Sequence, residues 1–277
     1  MKETSVTILG AGSMGTAILA GMIRNGIKGS QVKVTTKRVE SADALAKKFG
    51  LTAFATEFQP NANSLAVEGA GIVLLAVKPN YVIEVLEQIK GVIAADALVI
   101  SVAAGITTET MEAHLPETVS VIRAMPNTPA LIQLGATGVS AGSRVTSEQL
   151  EIATKLFDGI GKTLVIPEEK LDALSTISGS GPAYVFYLIE EFIKTAMQHG
   201  FSYEESYLLV SQTFVGSSQL LVQTQGDPGE LRRQVTSPNG TTMKAVAVLE
   251  EGHFQDLFFK ATSAALARAK EIAQENK

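Results

Sequence analysis

The chain has 277 residues, 45% of them hydrophobic, with a formal net charge of −5 and no cysteine. That composition suits one large or two medium globular domains and excludes disulfides and thiolate metal sites. The mild acidity argues against a general nucleic-acid binder, which needs a basic face to neutralise phosphates, but leaves room for one anionic ligand held by local cations.

Met1-Lys-Glu-Thr-Ser5 leads into a strand rather than the apolar centre of a signal peptide, and no apolar run reaches the ~20 residues that cross a bilayer. A cytoplasmic protein without membrane contact is expected. Short β-rich runs at 6–9, 32–35, 72–77, 98–102, 119–125, 135–140 and 163–166 alternate with helical patterns at 16–25, 41–49, 81–89, 107–114 and 147–158. The alternation predicts an α/β domain over residues 1–166, a Rossmann-type doubly wound parallel sheet with the later strands added at one edge. Past Pro167 the pattern is helical only, at 168–177, 183–198, 203–225, 243–251 and 254–274, with a break at Ser178-Gly-Ser-Gly-Pro182 and another at Gly226-Asp-Pro-Gly229. Residues 167–277 therefore read as an all-helical second domain. The helices at 183–198 and 203–225 are apolar around much of their circumference, so they line either a subunit interface or a thick monomeric core.

Gly10, Gly12 and Gly15 follow the first strand at the spacing in which one glycine makes the turn, the next admits a pyrophosphate and the third lets helix pack on strand. Such a turn either holds a dinucleotide or joins strand to helix without a ligand. The second strand ends Thr35-Thr-Lys-Arg38 with no acid before Glu40. A carboxylate there would bond a ribose 2′-hydroxyl, so this end favours NADPH over NADH, the alternative being that Lys37 and Arg38 form a solvated loop. Ala76-Val-Lys-Pro79 and Ala103-Ala-Gly-Ile106 also lie at carboxyl ends of strands, where open sheets bind ligands and where ordinary loops also occur. The two prolines of Arg123-Ala-Met-Pro-Asn-Thr-Pro-Ala130 stiffen a polar loop fit to hold a nicotinamide ring or wall a pocket. At Gln234-Val-Thr-Ser-Pro-Asn-Gly-Thr-Thr-Met243 a turn runs into a helix start, so free amides and hydroxyls gather; they serve either as a carboxylate receptor or as a threonine cap. The three histidines, His114, His199 and His253, belong to no motif, Glu190-Glu191 reads as a solvated or interface feature, and no metal site is expected.

Ser178-Gly-Ser-Gly-Pro-Ala-Tyr184, Arg123-Ala-Met-Pro-Asn-Thr-Pro129 and Val235-Thr-Ser-Pro-Asn-Gly-Thr-Thr242, behind the glycine turn, together resemble the pyrroline-5-carboxylate reductase family over residues 6–272. The resemblance implies the last step of proline biosynthesis, and a helical domain that interleaves with a second copy as a homodimer, sometimes in a ring of dimers. It implies that Gly10, Ala11, Gly12, Ser13, Met14 and Gly15 hold the pyrophosphate of NADPH and that Thr36, Lys37 and Arg38 face its ribose phosphate. Asn63, Ala76, Val77, Lys78, Pro79, Ala103, Ala104 and Gly105 would line the cofactor. Ser237, Asn239, Gly240, Thr241 and Thr242 would grip the carboxylate of a small imino-acid substrate, with Thr242 at the position proposed as proton donor.

Three departures stand out. Asn239 replaces a family glycine, and asparagine tolerates the left-handed backbone that the turn needs. Gln225 and Gln234 stand where some members place other polar groups, and the segment 57–61 is longer than usual. Two other readings compete. A β-hydroxyacid dehydrogenase needs a lysine soon after its second glycine motif, and none follows Tyr184 before Lys194. A dinucleotide-binding paralogue without turnover has no need of a carboxylate receptor.

Overall fold

The apolar runs of the first half form an eight-stranded sheet in the computed structural model, which describes residues 5–275. Residues 1–4, read above as the lead-in to the first strand, lie outside the described residues. The chain divides into two units, one running to Ser180 and resuming at Ala265, the other spanning Gly181–Ala264.

The strands are β1 (Val6–Leu9), β2 (Val32–Thr36), β3 (Thr52–Ala55), β4 (Ile72–Leu75), β5 (Leu98–Ser101), β6 (Ser120–Met125), β7 (Gly135–Ala141) and β8 (Gly161–Val165). Their order is β3-β2-β1-β4-β5-β6-β7-β8. Winding reverses between β1 and β4, so a crevice opens at their carboxyl ends, beside the glycine turn. All pairs are parallel except β6 with β7. The stretch between those two is too short for a crossover helix; it forms a 3-10 turn, Thr128–Ile132, that sends the chain back antiparallel.

The helices of this half are α1 (Ser13–Arg24), α2 (Val39–Phe49), α3 (Ala62–Val67), α4 (Val82–Ile89), α5 (Thr108–Ala113) and α6 (Ser147–Asp158). Strands β1, β4 and β5 are buried at every residue, because helices cover both faces of the sheet. Alternate side chains enter two cores. Ile8, Leu74 and Ile100 pack with Ile18 and Phe157, while Leu9, Leu75 and Val99 pack with Leu86 and Met111. Each such side chain contributes about 1.5–3 kcal/mol of burial. The sequence pattern leaves β3 and α3 undetected. β3 is a half-exposed edge strand, Thr-Ala-Phe-Ala, and α3 is six residues long, so neither shows a readable period.

The break expected at Ser178–Pro182 is not a break. A 3-10 turn, Glu168–Lys170, leads into α7 (Leu171–Leu174), and the backbone continues as a π-helix over Ser175–Gly179 before α8 (Gly181–Gln198). The Ser180 N–H donates to the Ser175 carbonyl at 2.8 Å, and Pro182 falls in the first turn of α8, where its missing N–H costs nothing.

In the second unit α8 is followed by α9 (Tyr203–Thr224), α10 (Pro228–Gln234), α11 (Thr241–Glu251) and the first half of α12 (Phe254–Glu275). The break at 226–229 is shorter than expected. Asp227 accepts from the Glu230 N–H at 2.8 Å and opens α10 with Pro228 in its first turn, so what reads as a loop becomes a seven-residue helix. Phe258 packs edge-on against Tyr184 and Phe254, with ring centroids 6.4 and 4.9 Å apart. Of residues 181–264, only Ile193, Ser206 and Val210 are buried.

Candidate functional site

At the carboxyl end of β1 the chain turns through Gly10, whose φ of +81° only glycine adopts freely; a Cβ there would lie 2.5 Å from Val77 Cγ1. The Gly10 and Ala11 N–H groups donate to the Thr35 carbonyl at 3.1 and 2.7 Å, tying the turn to the end of β2. A Cβ on Gly15 would sit 3.1 Å from Ala76 Cβ, so this glycine serves helix-on-sheet packing. Gly12 differs. Nothing lies closer to its Cβ position than the Gly10 carbonyl oxygen at 4.0 Å, and the residue is exposed. No packing inside the chain asks for glycine at position 12, whereas a pyrophosphate approaching the backbone would. Helix α1 begins without a side-chain cap, its first internal bond running from the Thr16 N–H to the Gly12 carbonyl at 2.8 Å. The amides of Ser13, Met14 and Gly15 therefore have no helical acceptor and suit an anion. These residues fit a dinucleotide.

The next turn holds Thr36, Lys37 and Arg38. Thr36 is buried and its hydroxyl donates to the Arg38 carbonyl at 2.8 Å, while Lys37 and Arg38 are exposed. Asn63, on α3, is buried, and its Nδ2 donates to Gln88 Oε1 on α4 at 2.8 Å. Ala76–Pro79 leaves β4 beside the glycine turn, the Ala76 N–H donating to the Leu9 carbonyl at 2.8 Å, and Pro79 opens a 3-10 turn ahead of α4. Ala103, Ala104 and Gly105 follow β5. Gly105 has φ +77°, and its Cβ position is 3.4 Å from Ala273 Cα, so its lack of a side chain also lets α12 approach.

Ala104 and Gly105 form one side of a cavity of about 280 Å³ in the first unit, lined further by Arg123, Met125, Asp172 and Ser180. Arg123 interrupts an apolar strand and is 5% exposed. Its Nη2 donates to Asp172 Oδ1 at 2.7 Å and its Nη1 to Glu168 Oε1 at 3.4 Å. Glu168 also accepts from the Thr108 N–H and hydroxyl at 2.8 and 2.5 Å. This network pins residues 168–172 to β6 and α5, and it already neutralises the guanidinium, which is thus a poor receptor for a substrate carboxylate. Asn127 is buried too. Its Nδ2 donates to the Ser178 carbonyl in the π-helix, and its Oδ1 accepts from the Ala136 N–H, both at 2.9 Å. Sequence reasoning missed Glu168, Asp172 and Ser180 as a group. The available signal was Arg123 itself, since a charge inside a buried strand requires a partner.

The loop Ser237–Thr242, expected to receive a carboxylate, belongs to the second unit. Asn239 has φ +59°, as its side chain permits, and a Cβ on Gly240 would collide with Ser237 Oγ at 2.5 Å. Gly240 is the N-cap of α11 and no side chain caps that helix, so threonine capping is not how the loop is used. Thr241 and Thr242 are exposed, and the first amides of α11 lie beside their hydroxyls. Gln225 ends α9 in the left-handed region at φ +51°, a backbone role, and Gln234 is the exposed last residue of α10.

His114 pairs with Glu87 at 2.8 Å, His253 lies 3.9 Å from Asp256, and His199 is exposed just past the end of α8. Glu190 and Glu191 both accept from Lys194, whose ammonium they hold above the ordinary lysine range. Among the described residues no group of three acidic or histidine side chains is placed to hold a metal ion, and no helix is long and apolar enough to cross a membrane.

A family model for pyrroline-5-carboxylate reductase dimerisation matches residues 168–272, and one described as coenzyme F420-dependent NADP oxidoreductase matches residues 5–105. The pyrroline-5-carboxylate reductase of Pseudomonas aeruginosa is 33% identical over 276 residues, 99% of each chain. Among solved structures, a pyrroline-5-carboxylate reductase from Coxiella burnetii matches with a TM-score of 0.91 at 35% identity, covering 97% of this chain and 98% of that one. Plasmodium falciparum pyrroline carboxylate reductase, solved with NADP bound, matches with a TM-score of 0.84 at 27% identity over 99% of both chains. With such identity along almost its whole length, the chain belongs to the pyrroline-5-carboxylate reductase family of NAD(P)H-dependent oxidoreductases.

Proposed function

We propose that the chain reduces (S)-1-pyrroline-5-carboxylate to L-proline with NADPH, and less well with NADH, as the last step of proline biosynthesis in the cytoplasm. The observation that carries this reading is the loop Ser237–Thr242, a built turn that leaves amides and two hydroxyls at an uncapped helix start, in a chain of this family. When bound, NADPH would supply a hydride from C4 of its dihydronicotinamide to the imine carbon of the ring, C2 of the pyrroline, which becomes C5 of proline.

Gly10, Ala11, Gly12, Ser13, Met14 and Gly15 hold the pyrophosphate; Thr36, Lys37 and Arg38 take the 2′-phosphate. Asn63, Ala76 to Pro79 and Ala103 to Gly105 line the cofactor. Ser237, Asn239, Gly240, Thr241 and Thr242 bind the substrate carboxylate and so fix the ring. As the C=N π pair moves onto the ring nitrogen, a proton must reside there. Thr242 donates it, unless the substrate binds as the iminium and Thr242 serves only to position it. An iminium is already electron-poor, so alignment and exclusion of water do most of the work and no strong acid is needed. In functional terms residues 1–166 carry the cofactor, and residues 167–277 carry dimerisation and substrate binding.

The homodimer is supported by α9. Leu208, Val215 and Val222, spaced by seven and hence on one face, are 65, 49 and 72% exposed in the single chain. A second copy would cover them, and a ring of dimers is the next level of assembly.

The reading is tested by following NADPH oxidation at its near-ultraviolet band with pyrroline-5-carboxylate added; absence of turnover overturns it and leaves the non-catalytic binder. Thr242→Ala is expected to lower kcat about tenfold to a hundredfold with an unchanged melting temperature. Near-normal turnover would remove Thr242 from proton donation.

A further inference from the structure

We propose that Glu57 sets the balance between NADPH and NADH by supplying, from the turn just past β3, the carboxylate that β2 lacks. The inference rests on the assignment of Thr36, Lys37 and Arg38 to the adenosine ribose. Strand β2 ends without an acid, which by itself favours a 2′-phosphate. The neighbouring strand changes that balance. Beyond the last registered pair of β2 with β3, the Thr56 N–H donates to the Thr36 carbonyl at 2.9 Å and the Glu57 N–H to the Lys37 carbonyl at 3.1 Å. The ladder thus carries Glu57 alongside the cationic turn. Its side chain then reaches across: Oε1 accepts from the Val39 N–H, the first amide of α2, at 2.9 Å. Arg38, the N-cap residue, makes no side-chain cap there, so Glu57 is the anion seated on this helix start.

A 2′-phosphate entering the turn between Lys37 and Arg38 meets that seated anion and competes with it for the amide, whereas a 2′-hydroxyl meets an acceptor. Glu57 therefore weakens NADPH and assists NADH, offsetting part of the attraction of the two cations. Glu57 lies in the segment noted as longer than usual in the family, which is why the sequence of β2 alone misses it.

The test uses the intact protein with NADP⁺ and NAD⁺ as probes, their dissociation constants measured by calorimetry at low salt. Glu57→Gln keeps an oxygen for the Val39 N–H and removes the charge; Glu57→Ala removes both. Both variants are expected to tighten NADP⁺ about fivefold while weakening or leaving NAD⁺, and the gain should shrink at about 0.5 M salt. An unchanged ratio in Glu57→Gln overturns the proposal, and so does a shift confined to Glu57→Ala, which would mark Glu57 as a helix cap only. Lys37→Ala and Arg38→Ala separate this from the parent assignment, since both should weaken NADP⁺ far more than NAD⁺. If they do and Glu57→Gln does not act, the turn stands and Glu57 alone is misassigned. If they weaken neither probe, the turn assignment falls and takes this inference with it.

Discussion

In the first unit β1, β4 and β5 are buried at every residue between two apolar layers, whereas in Gly181–Ala264 only Ile193, Ser206 and Val210 are buried and large side chains such as Phe186, Leu208 and Phe259 stand open. Both regions are rich in apolar residues. The sheet sets successive side chains on opposite faces, and each face finds helices from its own chain. Helices α8 and α9 are apolar around too much of their surface for one layer of neighbours to cover. Contiguous apolar patches of that extent mark an association surface, so under the proposed homodimer the first unit owes its stability to itself while that of the second depends on a partner copy.

The largest effect that could break this contrast is expected on α9. Val215→Asp, alone or with Leu208→Asp, changes a half-exposed site in the single chain and should be nearly neutral if the unit stands alone. In a dimer it buries an unpaired charge at the interface, and sedimentation should then show monomers with activity abolished. An unchanged sedimentation coefficient with normal turnover would show that α9 faces solvent.

Next comes a change inside the first unit. Arg123→Ala leaves Asp172 and Glu168 without their cation in a site where the arginine side chain is 6% exposed. Removing one partner of such a pair costs about 3 kcal/mol, which for a unit of this size lowers the melting temperature by roughly 6–12 °C. Dimerisation should survive, because the network lies within the first unit. Arg123→Met, which refills the volume, should recover only part of the loss while the carboxylates remain, and Arg123→Met with Asp172→Asn should recover more. Full recovery in Arg123→Met alone, with no further gain from Asp172→Asn, would show that packing, not charge pairing, sets the stability here.

Much of this was readable from residues alone, for physical reasons that also explain the gaps. Strands such as Val6–Leu9 and Ile72–Leu75 are runs of buried residues bounded by glycine or by small residues, so each announces itself locally. β3 does not, because an edge strand of four mixed residues is stabilised by its neighbour β2 rather than by its own pattern. The π-helix is hidden for the opposite reason. Ser178-Gly-Ser-Gly-Pro182 carries strong turn signals, yet the Asn127 amide, fifty-one residues earlier in the chain, binds the Ser178 carbonyl and helps hold the segment helical. At the site, Gly10 and Gly240 could be read locally, since Gly10 turns at φ +81° directly after β1 and a Cβ on Gly240 would meet Ser237 in its own turn. The ion network and Glu57 could not. Glu168, Asp172 and Glu57 meet their partners only once the sheet has set β6 beside β5 and β3 beside β2.

The smallest effect sharpens the contrast from the second unit's exposed side. Ser202 and Glu205 form a reciprocal cap at the start of α9, the Ser202 N–H donating to Glu205 Oε2 at 2.8 Å and the Glu205 N–H to Ser202 Oγ at 3.2 Å. The Ser202 backbone N–H, and after it the Ser202 hydroxyl, hold the Glu205 carboxyl below its ordinary value of 4.5. A carboxyl lowered in the folded state stabilises it above the unfolded value, and that stability is lost as pH falls through the folded value. Carboxyl-carbon chemical shifts should therefore place Glu205 below 4.5 in the wild type and nearer to 4.5 in Ser202→Gly, where backbone donation is loosened. Glu205→Gln should lower the melting temperature slightly at neutral pH, with the difference closing as the pH falls below 4.5 and through the lowered folded-state value. Because the cap is solvent-exposed, its removal should leave the dimer intact. If Glu205→Gln instead dissociates the dimer as the α9 aspartates do, the start of α9 is part of the interface, and the division between a self-sufficient cap and a partner-dependent helix face must move toward Ser202.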